Sequence, residues 1–195
     1  KKVEEIEVAY DTAIDPEQVR AFLKDHPEVK VVCVCHHDTP SGTLNDIDAI
    51  GAVVAEAGAL LLVDAVSSWG GMPTSPTASQ AGIYVTGPNK CLGCPPSLSL
   101  VAVSEAAWAK IESNPDAPFA SMLSLKDWKN AWKKTEPFPF TPSVAELNGL
   151  SAALDRYLDE GPEQVWERHA LTAKICREGI KGMGIELWPA SEDIA

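Results

Sequence analysis

No apolar run in these 195 residues approaches the ~20 that a bilayer-spanning helix needs, so no transmembrane segment is expected. A basic excess is missing too. The 16 Lys and Arg face 28 Asp and Glu, a net charge of −12, without the positive footprint of a nucleic-acid binder or any attraction to anionic membranes. No secretory signal opens the chain, no serine sits in the Gly-x-Ser-x-Gly elbow of a hydrolase, and no internal repeat or low-complexity tract is visible. Cysteine is scarce and odd in number. Five are present, with one Cys-x-x-Cys (Cys91, Cys94) and no second, which argues against zinc and redox sites. An odd count suits a reducing cytoplasm better than a disulfide framework. Cys33 and Cys35 fall on one face of an apolar strand, and His36-His37 read as that strand's exit into a binding loop rather than as metal ligands.

What is present is ordinary globular material, 45% hydrophobic and 23% charged, in alternating strand and helix patterns. Strands are expected over 5–10, 29–35, 60–64, 83–86 and 98–103, and a strand-like segment over 184–188. Helices are expected from Asp15-Pro16 to about 25, from Asn45 or Asp46 through 57, and from Ser104 through 111. This alternation predicts an α/β fold with a mostly parallel sheet sandwiched by helices. From Ser121 onward the pattern turns helical. The Trp128/Trp132 pair is spaced for one helix face, Ser143-Val144-Ala145-Glu146 is a capping box, and Gly161-Pro162 opens a long helix.

Two residues carry chemistry. Lys90 follows a Gly87-Pro88 break between apolar strands, where desolvation would lower its amine pKa and make it a nucleophile able to form a Schiff base. Alone, it reads more readily as a surface lysine in a Gly/Pro-rich loop. Asp64 ends the strand Leu60-Leu61-Leu62-Val63, and open α/β sheets bind ligands outside such strand ends. Its carboxylate, 26 residues before Lys90, suits the protonated nitrogen of a pyridine ring.

Together with His37-Asp38-Thr39-Pro40-Ser41-Gly42-Thr43, Thr86-Gly87-Pro88-Asn89-Lys90-Cys91-Leu92-Gly93 and Phe138-Pro139-Phe140-Thr141-Pro142-Ser143, these runs resemble the class V aminotransferases among the fold-type I pyridoxal enzymes. The resemblance implies that residues 1–160 are the central part of a large pyridoxal-binding domain. It likewise implies that 161–195 hold an interdomain helix and the start of a small C-terminal domain, the whole being the central portion of a longer enzyme. It makes Lys90 the catalytic lysine, Asp64 the partner of the ring nitrogen, Thr39 the partner of the phenolic oxygen and Val66 the residue packed beneath the ring. Thr141 would reach a neighbouring subunit's site in a homo-oligomer, a dimer or tetramer.

The Gly-Pro-Asn-Lys-Cys-Leu-Gly and Phe-Pro-Phe-Thr-Pro-Ser runs point to a narrower branch. Its reaction exchanges an amino group between pyridoxamine and pyruvate, giving pyridoxal and L-alanine, in vitamin B6 degradation. Phe138 and Phe140 stand where related enzymes offer an aromatic hydroxyl to a phosphate, which fits unphosphorylated pyridoxal as substrate with no tightly bound cofactor. The alternative is a pyridoxal-phosphate-dependent aminotransferase acting on alanine, serine or glyoxylate. A non-catalytic remnant is the third possibility, and intact Asp64 and Lys90 argue against it. Cys94-Pro95-Pro96-Ser97 departs from the Ala-Pro-Pro-Gly expected of the family beside Lys90.

Overall fold

The computed structural model describes residues 2–131, 133, 135 and 138–194. In chain order the elements are α1 (Pro16–Asp25), β1 (Val31–Cys35), α2 (Ile47–Glu56), β2 (Leu60–Asp64), β3 (Ile83–Thr86), β4 (Leu100–Val103), α3 (Glu105–Ser113), α4 (Leu125–Trp128), α5 (Val144–Glu160) and α6 (Pro162–Gly182). A short 3-10 turn, Glu192–Ile194, follows. The four strands form one sheet in the order β1-β2-β3-β4. β1, β2 and β3 run parallel and β4 closes the edge antiparallel to β3. This is the largely parallel α/β sheet expected from the alternating pattern.

Local chemistry explains the element starts. Asp15 caps α1 by accepting from the Glu17 amide, with Pro16 at the first helical position. Of the two candidates for α2, Asp46 is the cap and accepts from the Ala49 amide. Asn45 does something else: its side chain donates to the Cys35 carbonyl and accepts from the Ile14 amide, both at 2.8 Å, tying the end of β1 to the N-terminal segment. Ser104 caps α3. Ser143 precedes α5 but makes no side-chain capping bond, so the capping-box sequence marks the helix start without the box forming.

The core lies between the sheet and the α1–α2 layer. Ile50, Val53 and Val54 of α2 meet Leu61 and Val63 of β2, with Val19 and Leu23 of α1 behind them. Burying each such side chain contributes about 1.5–3 kcal/mol relative to leaving it in water. α2 also lies hard against the segment before β3. A Cβ on Gly51 would fall 1.9 Å from the Ser79 carbonyl oxygen, so only glycine allows that approach.

Four expectations need correction. Residues 5–10 form no strand: their alternating pattern suits one, but they have no ladder partner among the described residues, and Ile6 packs on the core from an irregular segment. Residues 184–188 are likewise irregular and run beside the 9–12 turn, where the Ala190 amide donates to Asp11 and the Tyr10 and Trp188 rings lie edge-on at 6.3 Å. The last strand begins at Leu100 rather than 98, because Pro95 and a turn at 96–97 precede it. The helix around Trp128 ends there, its ring near Phe140, and Trp132 lies outside the described residues.

Candidate active site

Parallel pairing brings three strand ends to one edge. Cys35 of β1 stands beside Asp64 of β2, which stands beside Val85 of β3. The His36 amide continues the ladder, donating to the Asp64 carbonyl at 2.8 Å. Each strand then leaves the sheet through a loop held by its own hydrogen bonds.

After β1, Asp38 organises the loop. Its Oδ2 accepts from the Ser41 hydroxyl (2.6 Å) and the Ser41 amide (3.0 Å), and its amide donates to the Thr43 carbonyl at 2.9 Å. The Ser41 side-chain bond is the main reason the Asp38 carboxyl sits below the usual carboxylate range. Gly42 adopts φ 72°, which closes the loop and leaves Thr39 at its exposed tip.

After β2, Asp64 caps the next turn. Its Oδ1 accepts from the Val66 amide at 3.0 Å, while the Ser68 and Trp69 amides both bond to the Ala65 carbonyl. The Ser68 hydroxyl meets His36 Nδ1 at 2.8 Å. Burial pushes the buried His36 imidazole down to about 4, so it is neutral at physiological pH and serves as a cross-strand strut.

After β3, Gly87 passes so close to Asn89 and Leu98 that a Cβ would lie 2.6 Å from Asn89 Oδ1. Pro88 is fully buried, its carbonyl accepts from the Cys94 amide at 2.9 Å, and the Lys90 carbonyl accepts from the Gly93 amide at 3.0 Å. Gly70 and Gly71 let this loop dock: on Gly71 a Cβ would stand 2.7 Å from Cys91 Sγ. The backbone of Lys90 is therefore anchored although its side chain is free to reach.

That side chain crosses the edge. Lys90 Nζ lies 2.6 Å from Thr39 Oγ1 and 2.5 Å from Ser67 Oγ, and the two hydroxyls are 2.6 Å apart. Asp64 shares this field. Burial raises the Cys35 thiol first, the charges of Asp64 and Asp38 raise it further, and Lys90 draws it down. His37 is held below its ordinary value by burial and then by the Lys90 charge. One edge thus carries a primary amine, a carboxylate and a pair of hydroxyls.

Thr39, Asp64, Val66 and Lys90 come together on this edge. Thr141 does not join them: it is exposed ahead of α5, and no hydrogen bond among the described residues ties it to Lys90, Asp64 or Thr39. The desolvation expected for Lys90 is corrected as well. Its side chain is exposed, because the Gly-Pro break lifts it to the open rim instead of between the strands. Ser67 and Gly71 were invisible as site residues in the sequence. Ser67 reads as a turn former, and only the folded approach of two loops gives either residue a partner.

The aminotransferase class-V family matches residues 1–191. The chain belongs to the class V aminotransferases. It is 65% identical over 191 residues to a pyridoxamine–pyruvate transaminase of Mesorhizobium japonicum, covering 98% of this chain and 49% of that protein. The crystal structure of a pyridoxamine–pyruvate aminotransferase from Mesorhizobium loti superposes with a TM-score of 0.95 at 65% identity, over 97% of this chain and 48% of that one. A serine–glyoxylate aminotransferase of Methylorubrum extorquens is 32% identical, over 92% of this chain and 46% of its own length. The chain spans about half the length of these class V relatives. Among the described residues no helix is long and apolar enough to cross a membrane, and no cluster of His, Cys, Asp or Glu could hold a metal ion.

Proposed function

We propose that the whole protein is a transaminase that moves an amino group between pyridoxamine and pyruvate, giving pyridoxal and L-alanine. The observation that carries this is the convergence of the Lys90 amine, the Asp64 carboxylate and the Thr39 hydroxyl on one sheet edge, in a chain 65% identical to a pyridoxamine–pyruvate transaminase. This donor set fits a pyridoxal ring: a carboxylate for the ring nitrogen, a hydroxyl for the phenolic oxygen and an amine for the aldehyde carbon. When bound, pyridoxal supplies the aldehyde that takes up the amino group and the ring that draws electrons from the amino-acid Cα.

The chain's own residues do the rest. Asp64 holds the ring-nitrogen proton through a charge-assisted hydrogen bond worth roughly 1.5–3 kcal/mol. Its carboxylate is pre-aimed, because Oδ1 is already fixed by the Val66 amide. Val66 packs beneath the ring, and Thr39 orients the phenolic oxygen. Lys90 Nζ moves the proton between the alanine Cα and the aldehyde carbon as general base and then general acid. Thr141 belongs to a neighbouring subunit's site, so the working enzyme is a homo-oligomer, a dimer or tetramer. Residues 1–160 then act as large-domain framework, and α6 leads toward a smaller C-terminal domain. The five free thiols favour a reducing, cytoplasmic setting.

The Phe138 and Phe140 rings bring no hydroxyl toward a phosphate, which supports free pyridoxal as substrate without a tightly held cofactor. Retention of Thr141 and likeness to a serine–glyoxylate aminotransferase favour a second reading, a pyridoxal-phosphate-dependent enzyme. The whole protein, purified without added vitamin and assayed with alanine, separates the two. Colourless protein that makes pyruvate with pyridoxal alone is the expected result. Protein that is yellow as purified, and makes pyruvate only with a second keto acid as acceptor, would replace the first reading by the second.

A further inference from the structure

Ser67 sits three residues after Asp64 on the turn that closes β2, and among the described residues its hydroxyl bonds to two groups. They are Lys90 Nζ at 2.5 Å and Thr39 Oγ1 at 2.6 Å, and Nζ is itself 2.6 Å from Thr39 Oγ1. All three atoms are within hydrogen-bond reach of one another. An ammonium has three N–H donors, each hydroxyl oxygen can accept one of them, and one hydroxyl can still donate to the other, so the triangle can be satisfied in full. The Ser67 backbone is fixed from both sides. Asp64 and Ala65 hold the neighbouring amides, and Cys91 Sγ lies 3.9 Å from the Ser67 carbonyl oxygen.

Lysine is otherwise a poor instrument at an open rim, since four rotatable bonds let its amine sample many positions. Two hydroxyls presented by different strand ends restrain that amine in two directions. Thr39 has a single proton to give, and under the assignment above it goes to the ring's phenolic oxygen. Ser67 is the neutral partner whose hydroxyl stays committed to the amine.

We propose that Ser67 is a positioning residue for Lys90, holding Nζ against the sheet edge so that proton transfer at the amino-acid Cα starts from one lysine geometry. This rests on the assignment of Lys90 as proton carrier. The test uses the whole protein with pyridoxal and either ordinary or Cα-deuterated alanine, comparing wild type, Ser67→Ala, Ser67→Thr and Lys90→Ala. Ser67→Ala is expected to lower kcat about tenfold, to leave KM for pyridoxal within about twofold, and to enlarge the deuterium effect on kcat. Ser67→Thr, which keeps the hydroxyl, is expected to recover most of the lost rate. Should Ser67→Ala not fold, Ser67→Cys, whose thiol is a weak acceptor, takes its place with the same expectation. An inactive Lys90→Ala beside a Ser67→Ala variant with wild-type kcat and isotope effect would overturn the role of Ser67. Wild-type turnover in Lys90→Ala would instead overturn the assignment beneath it.

Discussion

Around Lys90, side-chain position follows from backbone that is itself tied down, whereas α5 and α6 bury few of their side chains among the described residues. Ten residues of α2 bury four side chains and Gly51, while the 17 residues of α5 and the 21 of α6 bury one each, Leu150 and Val165. Val144, Leu147, Leu158, Leu171 and Ile175 stay exposed on those helices. The loops at the sheet edge, by contrast, are closed by Asp38, Asp64 and the Gly93 amide, and docked through glycines that leave no room for a Cβ. The sheet edge therefore fixes side-chain geometry more tightly than the helical pair in this chain does. Substitutions in the first should register in activity, and those in the second in stability alone.

The sharpest way to break that contrast is Lys90→Ala. Transamination should fall below detection while pyridoxal still binds weakly, as followed by pyruvate release and by equilibrium binding. Asp64→Asn comes next. Losing a charge-assisted bond of roughly 1.5–3 kcal/mol predicts a rate lower by about one to two orders of magnitude at unchanged melting temperature. A mild loss would remove Asp64 from the ring nitrogen. Gly71→Ala probes docking rather than chemistry. A Cβ 2.7 Å from Cys91 Sγ must displace the Lys90 loop, so stability should drop by about 1–3 kcal/mol and activity with it, measured by denaturant unfolding and turnover. Gly149→Ala in α5 is the counterpart with the smallest effect. Its Cβ meets nothing within 4 Å, so the helix should gain about 0.5–1 kcal/mol with activity untouched.

The same division explains what could be read from sequence. The strand over 60–64, the Asp15-Pro16 and Ser104 caps and the Gly161-Pro162 helix start are local signals, and the structure follows them. The alternation of Glu5, Ile6, Glu7 and Val8 is equally local, yet a strand needs a partner, and pairing is not written in one segment. Asp64 was legible because it ends a strand at the parallel sheet's ligand edge, and Lys90 because it is the one lysine of the loop that follows the Gly87-Pro88 break after β3. Ser67 was not. A serine in Val-Ser-Ser-Trp-Gly-Gly looks like turn chemistry until the loops after β1 and β3 bring Thr39 and Lys90 to its hydroxyl. Gly71 is silent for the same reason, its constraint being a sulfur 20 residues away along the chain. The exposure of Lys90 also escaped the sequence, which shows that a loop joins two apolar strands but not how far the Gly87-Pro88 break lifts it.

The most direct test of the central claim is covalent. The whole protein would be mixed with unphosphorylated pyridoxal, treated with borohydride and digested, and the modified peptide located by mass. One pyridoxyl group on Lys90, prevented by Lys90→Ala, is the predicted result. Label on other lysines with Lys90 unmodified would contradict the account.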